Sequence, residues 1–343
     1  MKIAVIGAGS WGTAMAVMLG QKHDSVVLWA RNEELVCHMN TCRQNDRYLP
    51  GIDFPAAVSC SNSMETAIRG AKIIVLATPS QAIRATVENI ASYVERNQII
   101  VTATKGFELE SMKRITEVIG EVLPQFLNQI AVLSGPNHAE EVALKQPSAT
   151  VVSARNAAVA DVVQEAFMLP YFRVYTNPDT IGVELGGALK NIIALGAGIV
   201  EGLGFGDNTK AALMTRGLAE MARLGIAMGA DALTFAGLSG IGDLMVTCTS
   251  RHSRNRRAGI LLGQGKSIAE IQSTTNMVVE GIRATAAAYQ LAQQYQIEMP
   301  ILEQTYQVLY KGKHPKEAVL DLMTRGRTQE VEEVVSDKSI WKS

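Results

Sequence analysis

The segment GAGSWG, Gly7 to Gly12, follows a strand-like run KIAVI and precedes an Ala/Met-rich helical stretch. Three glycines at that spacing form a turn whose backbone N–H groups and helix N-terminus can hold a pyrophosphate. Gly7 would make the tight turn, Gly9 would let the phosphates approach the backbone, and Gly12 would let helix and sheet pack closely. Ser10 and Trp11 sit in the same loop. The next apolar run, VVLWAR, ends on Arg31, where such sites usually carry an acid for the ribose 2′-hydroxyl. A guanidinium matches a 2′-phosphate bidentately, so NADP(H) is favoured and NAD(H) is left open. Glu33 or Glu34 would reach the ribose only if the strand ran on. Asn32 reads instead as a helix cap that places both carboxylates in the first helical turn.

Four further stretches concentrate polar and small residues. TATKGFE (102–108) sets Lys105 just after a strand, at the carboxyl edge where open sheets bind ligands. SGPNHAEE (134–141) follows the next strand in the same way. GVELGGALKNIIALGAGIVEGLG (182–204) is rich enough in Gly and Ala to demand a close packing partner, and carries Lys190 and Asn191 amid apolar neighbours. LSGIGDLMVTCTSRHSRNRRAG (238–259) offers Asp243, Thr247 and a basic cluster with Arg254 and Asn255. With a dinucleotide, the matching chemistry is hydride transfer. Reduction of a ketone leaves an alkoxide that needs a nearby cation able to give a proton, and a lysine does both. Asp243 would orient the ammonium, and Thr247 or Asn191 would hydrogen-bond substrate hydroxyls. A terminal phosphate calls for a guanidinium with amide support, which Arg254 and Asn255 supply. No His, Cys or Asp cluster has metal-ligand spacing, so no metal is expected.

These residues need a scaffold, and the pattern of the chain supplies one. Up to about residue 180, runs apolar on both faces alternate with helical stretches: 2–6, 26–30, 73–78, 99–104, 131–134, 149–153 and 172–176. That pattern predicts a parallel, doubly wound α/β sheet of Rossmann type covered on both sides. Asn177-Pro178 marks a turn, and beyond it helical periodicity dominates in about 182–203, 207–229, 256–262, 267–273, 278–296, 300–309 and 315–324. The expected organisation is a dinucleotide-binding domain over 1–180, an all-α substrate domain over 181–330 and a polar tail over 331–343. At 343 residues two domains are the natural expectation, and a net charge of −1 disfavours nucleic acid or an anionic membrane as a partner. The basic cluster near Arg254 lacks the interleaved aromatics of a nucleic-acid surface. No apolar stretch is read as long enough for a membrane span. Cys37, Cys42, Cys60 and Cys248 show no paired spacing and read as reduced thiols. With no room for a signal peptide before Gly7, a cytoplasmic protein is expected.

Taken in order, GAGSWGTA, TATKG, SGPNHAEE, ELGGALKN, GLSGIGDLMVTC, SRNRRAG and VVEGIRA resemble bacterial NAD(P)-dependent glycerol-3-phosphate dehydrogenase, over residues 2 to about 325. The resemblance implies a Rossmann domain followed by a helical domain of the 6-phosphogluconate-dehydrogenase type. It implies interconversion of sn-glycerol 3-phosphate and dihydroxyacetone phosphate, supplying phospholipid synthesis. Lys190 would be the catalytic lysine, with Asp243 and Thr247 beside it and Lys105 lining the substrate pocket and touching the cofactor. Ser253, Arg254, Asn255 and Asn191 would hold the substrate, with Arg254 also near the cofactor. Gly135, Asn137 and Ala139 would touch substrate or nicotinamide, while Val278 and Glu280 would complete the cofactor pocket. The loop departs from the family's usual GPS or GPT followed by an aromatic residue. At this departure Asn137 can still donate and accept hydrogen bonds, and His138 reads as packing. A homodimer is left open. A 3-hydroxyacid or sugar-acid dehydrogenase, which would use a carboxylate-binding arginine, and a catalytically inert NADP(H) sensor are the alternative readings.

Overall fold

The computed structural model describes residues 1–273 and 278–327. The proposed tail 331–343 lies outside them. Ten strands occur among the described residues: β1 (Lys2–Ile6), β2 (Ser25–Trp29), β3 (Gln44–Asn45), β4 (Leu49–Asp53), β5 (Val58–Ser61), β6 (Ile73–Leu76), β7 (Ile99–Thr102), β8 (Ile130–Ser134), β9 (Ser148–Ala154) and β10 (Phe172–Asn177). Eight form one sheet in the order β10-β9-β8-β7-β6-β1-β2-β5, and β3 and β4 form a small antiparallel pair. Successive residues in each central strand point to opposite faces. Ile3, Val5, Ile73 and Val75 pack on one side with Met15, Met18 and Leu19 of the helix Ser10–Leu19. Ala4, Ile6, Ile74 and Leu76 pack on the other with Ile83, Val87 and Ile90 of the helix Ile83–Ile90. Burial on both faces explains why these runs read as uninterrupted apolar segments.

All seven strand-like runs become strands of this sheet. One expectation needs correction, because the sheet is not wholly parallel. β8 and β9 pair antiparallel, and β10 then runs parallel to β9. The helix between them, Ala139–Ala143, has only five residues. At ~1.5 Å per residue it is too short to carry the chain back along a strand that rises ~3.3 Å per residue, so β9 returns in the opposite sense. β5 and the β3–β4 pair were not read from the sequence. They are short and carry polar residues, so they lack the apolar run that marks a central strand.

Beyond β10 the described residues are helical. The helix Thr180–Gly202 runs through the middle of this half, surrounded by Asp207–Ala227, Asp243–Thr249, Arg254–Gly263 and Glu280–Gln294. It is long and apolar enough to cross a membrane, as is the continuous helical stretch Ala232–Thr249, which corrects the sequence expectation. In Thr180–Gly202, 94% of the most apolar window is buried inside the protein. Its glycines explain the tightness of that packing. A Cβ on Gly198 would overlap the carbonyl of Arg256, and one on Gly259 would overlap the carbonyl of Leu195. The two backbones therefore touch directly, as small residues on both helices permit. The helix Asp243–Thr249 and the π-helical turn Leu238–Gly242 before it were also unread, since Gly and Thr there weaken any helical signal.

This contact is open to test. Gly259→Val forces two backbones apart and should cost about 1–3 kcal/mol or more, as overpacking does. A thermal or denaturant midpoint equal to that of the unmodified protein would show that the two helices can separate freely.

Candidate active site

The glycine turn sits where the strand order reverses, between β1 and β6, at their carboxyl ends. Gly7 has φ +117°, a conformation side chains rarely adopt, and an added Cβ would lie 2.7 Å from the Ala77 carbonyl oxygen beyond β6. On Gly12 it would overlap the Gly7 carbonyl, whereas, its chain neighbours aside, no atom of the described residues lies within 4 Å of one on Gly9. The turn is thus packed against the sheet below and open above, at the N-terminus of Ser10–Leu19. Thr78, on the same edge, has a buried hydroxyl without a partner among the described residues. An open cradle of backbone N–H groups at a helix N-terminus fits a dinucleotide pyrophosphate. Ser10 Oγ donates to the Tyr48 carbonyl at 2.7 Å, and Trp11 is half-buried against the sheet core. Arg31 follows β2 and is exposed, while Asn32 accepts from Leu35 N–H at 2.6 Å and caps the helix Glu33–Cys42. Glu33 and Glu34 lie in its first turn.

At the same carboxyl edge, just past β7, Lys105 shares one carboxylate with Lys190. Asp243, 1% exposed, accepts from Lys105 Nζ on Oδ2 at 2.7 Å and from Lys190 Nζ on Oδ1. Lys190 Nζ also donates to Thr247 Oγ1 at 2.7 Å, and Lys105 Nζ to the Gly135 carbonyl at 3.0 Å. Each ammonium thus keeps one N–H beyond the two it spends on protein. The stem of Lys105 passes over Gly187, one helical turn before Lys190, where an added Cβ would stand 3.4 Å from its Cγ. Burial lowers the Lys190 pKa to about 8; Asp243 opposes the shift and Lys105 adds to it. That places its proton change near neutrality.

Arg254 opens the helix Arg254–Gly263 and Ser253 caps it, accepting from Arg256 N–H at 3.2 Å. The Arg254 side chain reaches solvent from within a recess. Its pKa is lowered by that partial burial, against the opposing charges of Glu280 and Glu140. Among the described residues it makes no hydrogen bond or ion pair, so its donors are available to a ligand. Asn255 is buried and bridges two helices: its Nδ2 donates to Asn191 Oδ1 at 2.8 Å and its Oδ1 accepts from Gly281 N–H at 2.8 Å. Glu280 accepts from Ser80 Oγ at 3.0 Å across the cleft, and burial raises its pKa. Val278 lies half-buried just before it, and Ala139 is buried at the start of its short helix.

The structure therefore brings Lys105, Lys190, Asp243 and Thr247 together and sets Gly135 beside them. It alters some roles expected of their neighbours. Thr247 Oγ1 receives Lys190 and donates to the Asp243 carbonyl at 2.6 Å, so it steers the ammonium and has no proton left for a substrate hydroxyl. Asn191 gives one N–H to the Gly187 carbonyl at 3.3 Å and its Oδ1 accepts from Asn255, which leaves it one N–H for a substrate hydroxyl. Asn137 turns its amide N–H groups to the Ala149 carbonyl at 2.9 Å and the Pro136 carbonyl at 3.1 Å, leaving only its oxygen. His138 is half-buried near Lys190, whose charge helps burial lower its pKa, and its Nε2 has no partner among the described residues. Ser80 was not singled out from the sequence, although its place just past β6 at the strand reversal was a usable signal. Asn45 gave no such signal. A separate cleft of about 460 Å³ lies elsewhere, between Arg114, Thr116, Arg155, Asp179 and Asp231, and contains none of these groups.

A dinucleotide cradle and a paired-lysine carboxylate, on a Rossmann-type sheet joined to a helical half, define a two-domain pyridine-nucleotide dehydrogenase. Residues 2–160 match the model for the NAD-dependent glycerol-3-phosphate dehydrogenase N-terminus, and residues 179–320 that for its C-terminus. The glycerol-3-phosphate dehydrogenase [NAD(P)+] of Moorella thermoacetica is 54% identical over 96% of this chain and 98% of its own. That of Geobacillus kaustophilus is 52% identical over 97% of each. The crystal structure of glycerol-3-phosphate dehydrogenase from Coxiella burnetii superposes with a TM-score of 0.90 at 38% identity, covering 94% of this chain and 99% of that one. The chain belongs to the NAD-dependent glycerol-3-phosphate dehydrogenase family.

The shared carboxylate makes a direct prediction. Asp243→Asn removes the charge that raises the Lys190 pKa, so its titration should move from about 8 to lower pH. Isotope-edited NMR of the lysine Cε resonances reads this midpoint; an unchanged or raised value would mean that Asp243 does not govern Lys190.

Proposed function

We propose that the protein interconverts sn-glycerol 3-phosphate and dihydroxyacetone phosphate by hydride transfer with NAD(P)(H), NADP(H) preferred, and so supplies the glycerophosphate backbone of phospholipids. The observation that carries this reading is the pair Lys105 and Lys190 on Asp243, in a fold that also holds an open glycine cradle. When bound, the nicotinamide supplies or takes the hydride at the central carbon. Lys190 would meet the oxygen of that carbon. In reduction its ammonium neutralises the developing alkoxide and gives it a proton; in oxidation the neutral amine takes the alcohol proton. Asp243 and Thr247 aim Lys190 by holding two of its three donors. Lys105 adds a second fixed positive charge and lowers the Lys190 pKa. Arg254, whose donors are unspent, takes the substrate phosphate with Ser253 and Asn255 as support. Glu280, Val278 and Ala139 would border the cofactor, and Arg31 would face its 2′-phosphate. A small-molecule dehydrogenase of this kind with four free cysteines, two of them exposed, suits the reducing cytoplasm.

The sign of the pH dependence follows. Reduction needs charged Lys190, so its turnover should fall as pH rises through about 8, while oxidation should rise through the same range. Absorbance at 340 nm with NADPH and dihydroxyacetone phosphate tests the assignment. Lys190→Met should cut turnover by at least ~10³-fold, within the range for positioned acid–base groups, and leave NADPH affinity nearly unchanged. Turnover within tenfold of the unmodified enzyme would remove Lys190 from the mechanism.

The cofactor preference has its own test. Arg31→Ala should raise the Michaelis constant for NADPH much more than that for NADH, because only the former offers a 2′-phosphate to a guanidinium. Equal changes for both cofactors would assign Arg31 to the surface alone.

A further inference from the structure

We propose that Asn45 is a positioning residue of the cofactor site, holding the glycine turn in its binding conformation from outside the motif. The inference rests on the reading of that turn as an NADP(H) site. Asn45 lies in β3 and is completely buried. Its Nδ2 donates to the Ala8 carbonyl at 2.9 Å and to Thr13 Oγ1 at 2.8 Å. Ala8 stands between Gly7 and Gly9, and Thr13 follows Gly12, so one amide grips both ends of the turn. The partners decide which way the amide faces, since a carbonyl oxygen can only accept. Asn45 Oδ1 is buried with no partner among the described residues. The fold carries that unmet acceptor while both amide N–H groups serve the turn.

The rest of the hairpin supports the same grip. Tyr48 offers its carbonyl to Ser10 Oγ, and Leu49 packs with Ala14 inside the helix Ser10–Leu19 and with Ala139 at the start of the helix Ala139–Ala143. The hairpin is itself pinned. Arg43 donates to the carbonyls of Val58 at 2.8 Å and Pro55 at 2.6 Å, next to β5 at the edge of the sheet. A glycine-rich turn has many accessible conformations, and only one of them aims its N–H groups at a pyrophosphate. Two buried hydrogen bonds from a rigid hairpin remove that freedom before the cofactor arrives. Their loss would therefore appear as lost cofactor affinity.

Asn45→Ala and the unmodified protein should be titrated with NADPH by calorimetry, below the melting temperature of each. Two hydrogen bonds of ordinary net strength correspond to roughly tenfold or greater weakening of the NADPH Kd. The KM for dihydroxyacetone phosphate should move by less than about twofold, a selectivity that general loosening of the fold would not produce. Thr13→Val removes one of the two acceptors and Thr13→Ser keeps it, so Val should weaken NADPH binding more than Ser, even if Asn45→Ala fails to fold. An unchanged NADPH Kd in Asn45→Ala, a parallel loss for both ligands, or equal effects of the two Thr13 variants would overturn the proposal. Absence of NADPH binding by the unmodified protein would instead overturn the cofactor reading beneath it.

Discussion

Much of this structure depends on one buried carboxylate. Asp243 accepts from Lys105, 138 residues earlier in the chain, and from Lys190, 53 residues earlier. Two ammoniums and one carboxylate in an enclosed site leave a net positive charge. The carboxylate meets the charge of the buried Lys190, because burying an unpaired ammonium is far costlier than burying a paired one. The arrangement also ties the sheet half of the molecule, through Lys105, to the helical half that carries Lys190 and Asp243. A developing negative charge on a substrate oxygen is the natural complement of that surplus.

The helix Thr180–Gly202 makes such burial feasible. Its glycines and alanines admit neighbouring backbones at contact distance, excluding water from the stretch that carries Lys190. Close packing and the lowered lysine pKa thus share one cause. Further polar anchors hold the helix in register with the sheet. Glu184, two turns before Lys190, accepts from Arg114 Nη1 at 2.5 Å and from Thr116 N–H at 2.8 Å and Thr116 Oγ1 at 2.6 Å. Asn191 and Asn255 join it to the helix that carries Arg254 and to the start of Glu280–Gln294. Glu280 in turn reaches Ser80 at the strand reversal. These hydrogen-bonded groups border the cleft from both halves, which favours a single geometry.

Legibility in the sequence followed the range of the interactions. The seven strand runs, the change to helix after Asn177, the glycine turn, the Asn32 cap and the close-packed glycine helix were all readable, since each rests on local pattern or on the chemistry of one residue type. Lys105, Lys190, Asp243 and Arg254 were also readable as chemistry-bearing residues. Asn45 and the hairpin β3–β4 were not, because a two-residue strand has no periodicity and an asparagine among polar neighbours looks like surface.

The sequence by itself determined which groups the molecule owns and which local conformations they favour: a phosphate-sized glycine turn, an arginine instead of an acid after β2, lysines amid apolar residues. Tertiary structure decided how those groups are spent. It turned Thr247 toward Lys190, engaged Asn191 with Asn255 and Asn137 with the backbone, and reversed the strands after β8. It also set Asp243 between two lysines. The reason is physical: a hydrogen bond or ion pair depends on separations of about 3 Å, and between residues far apart in the chain those separations are set only when the helices and sheet pack.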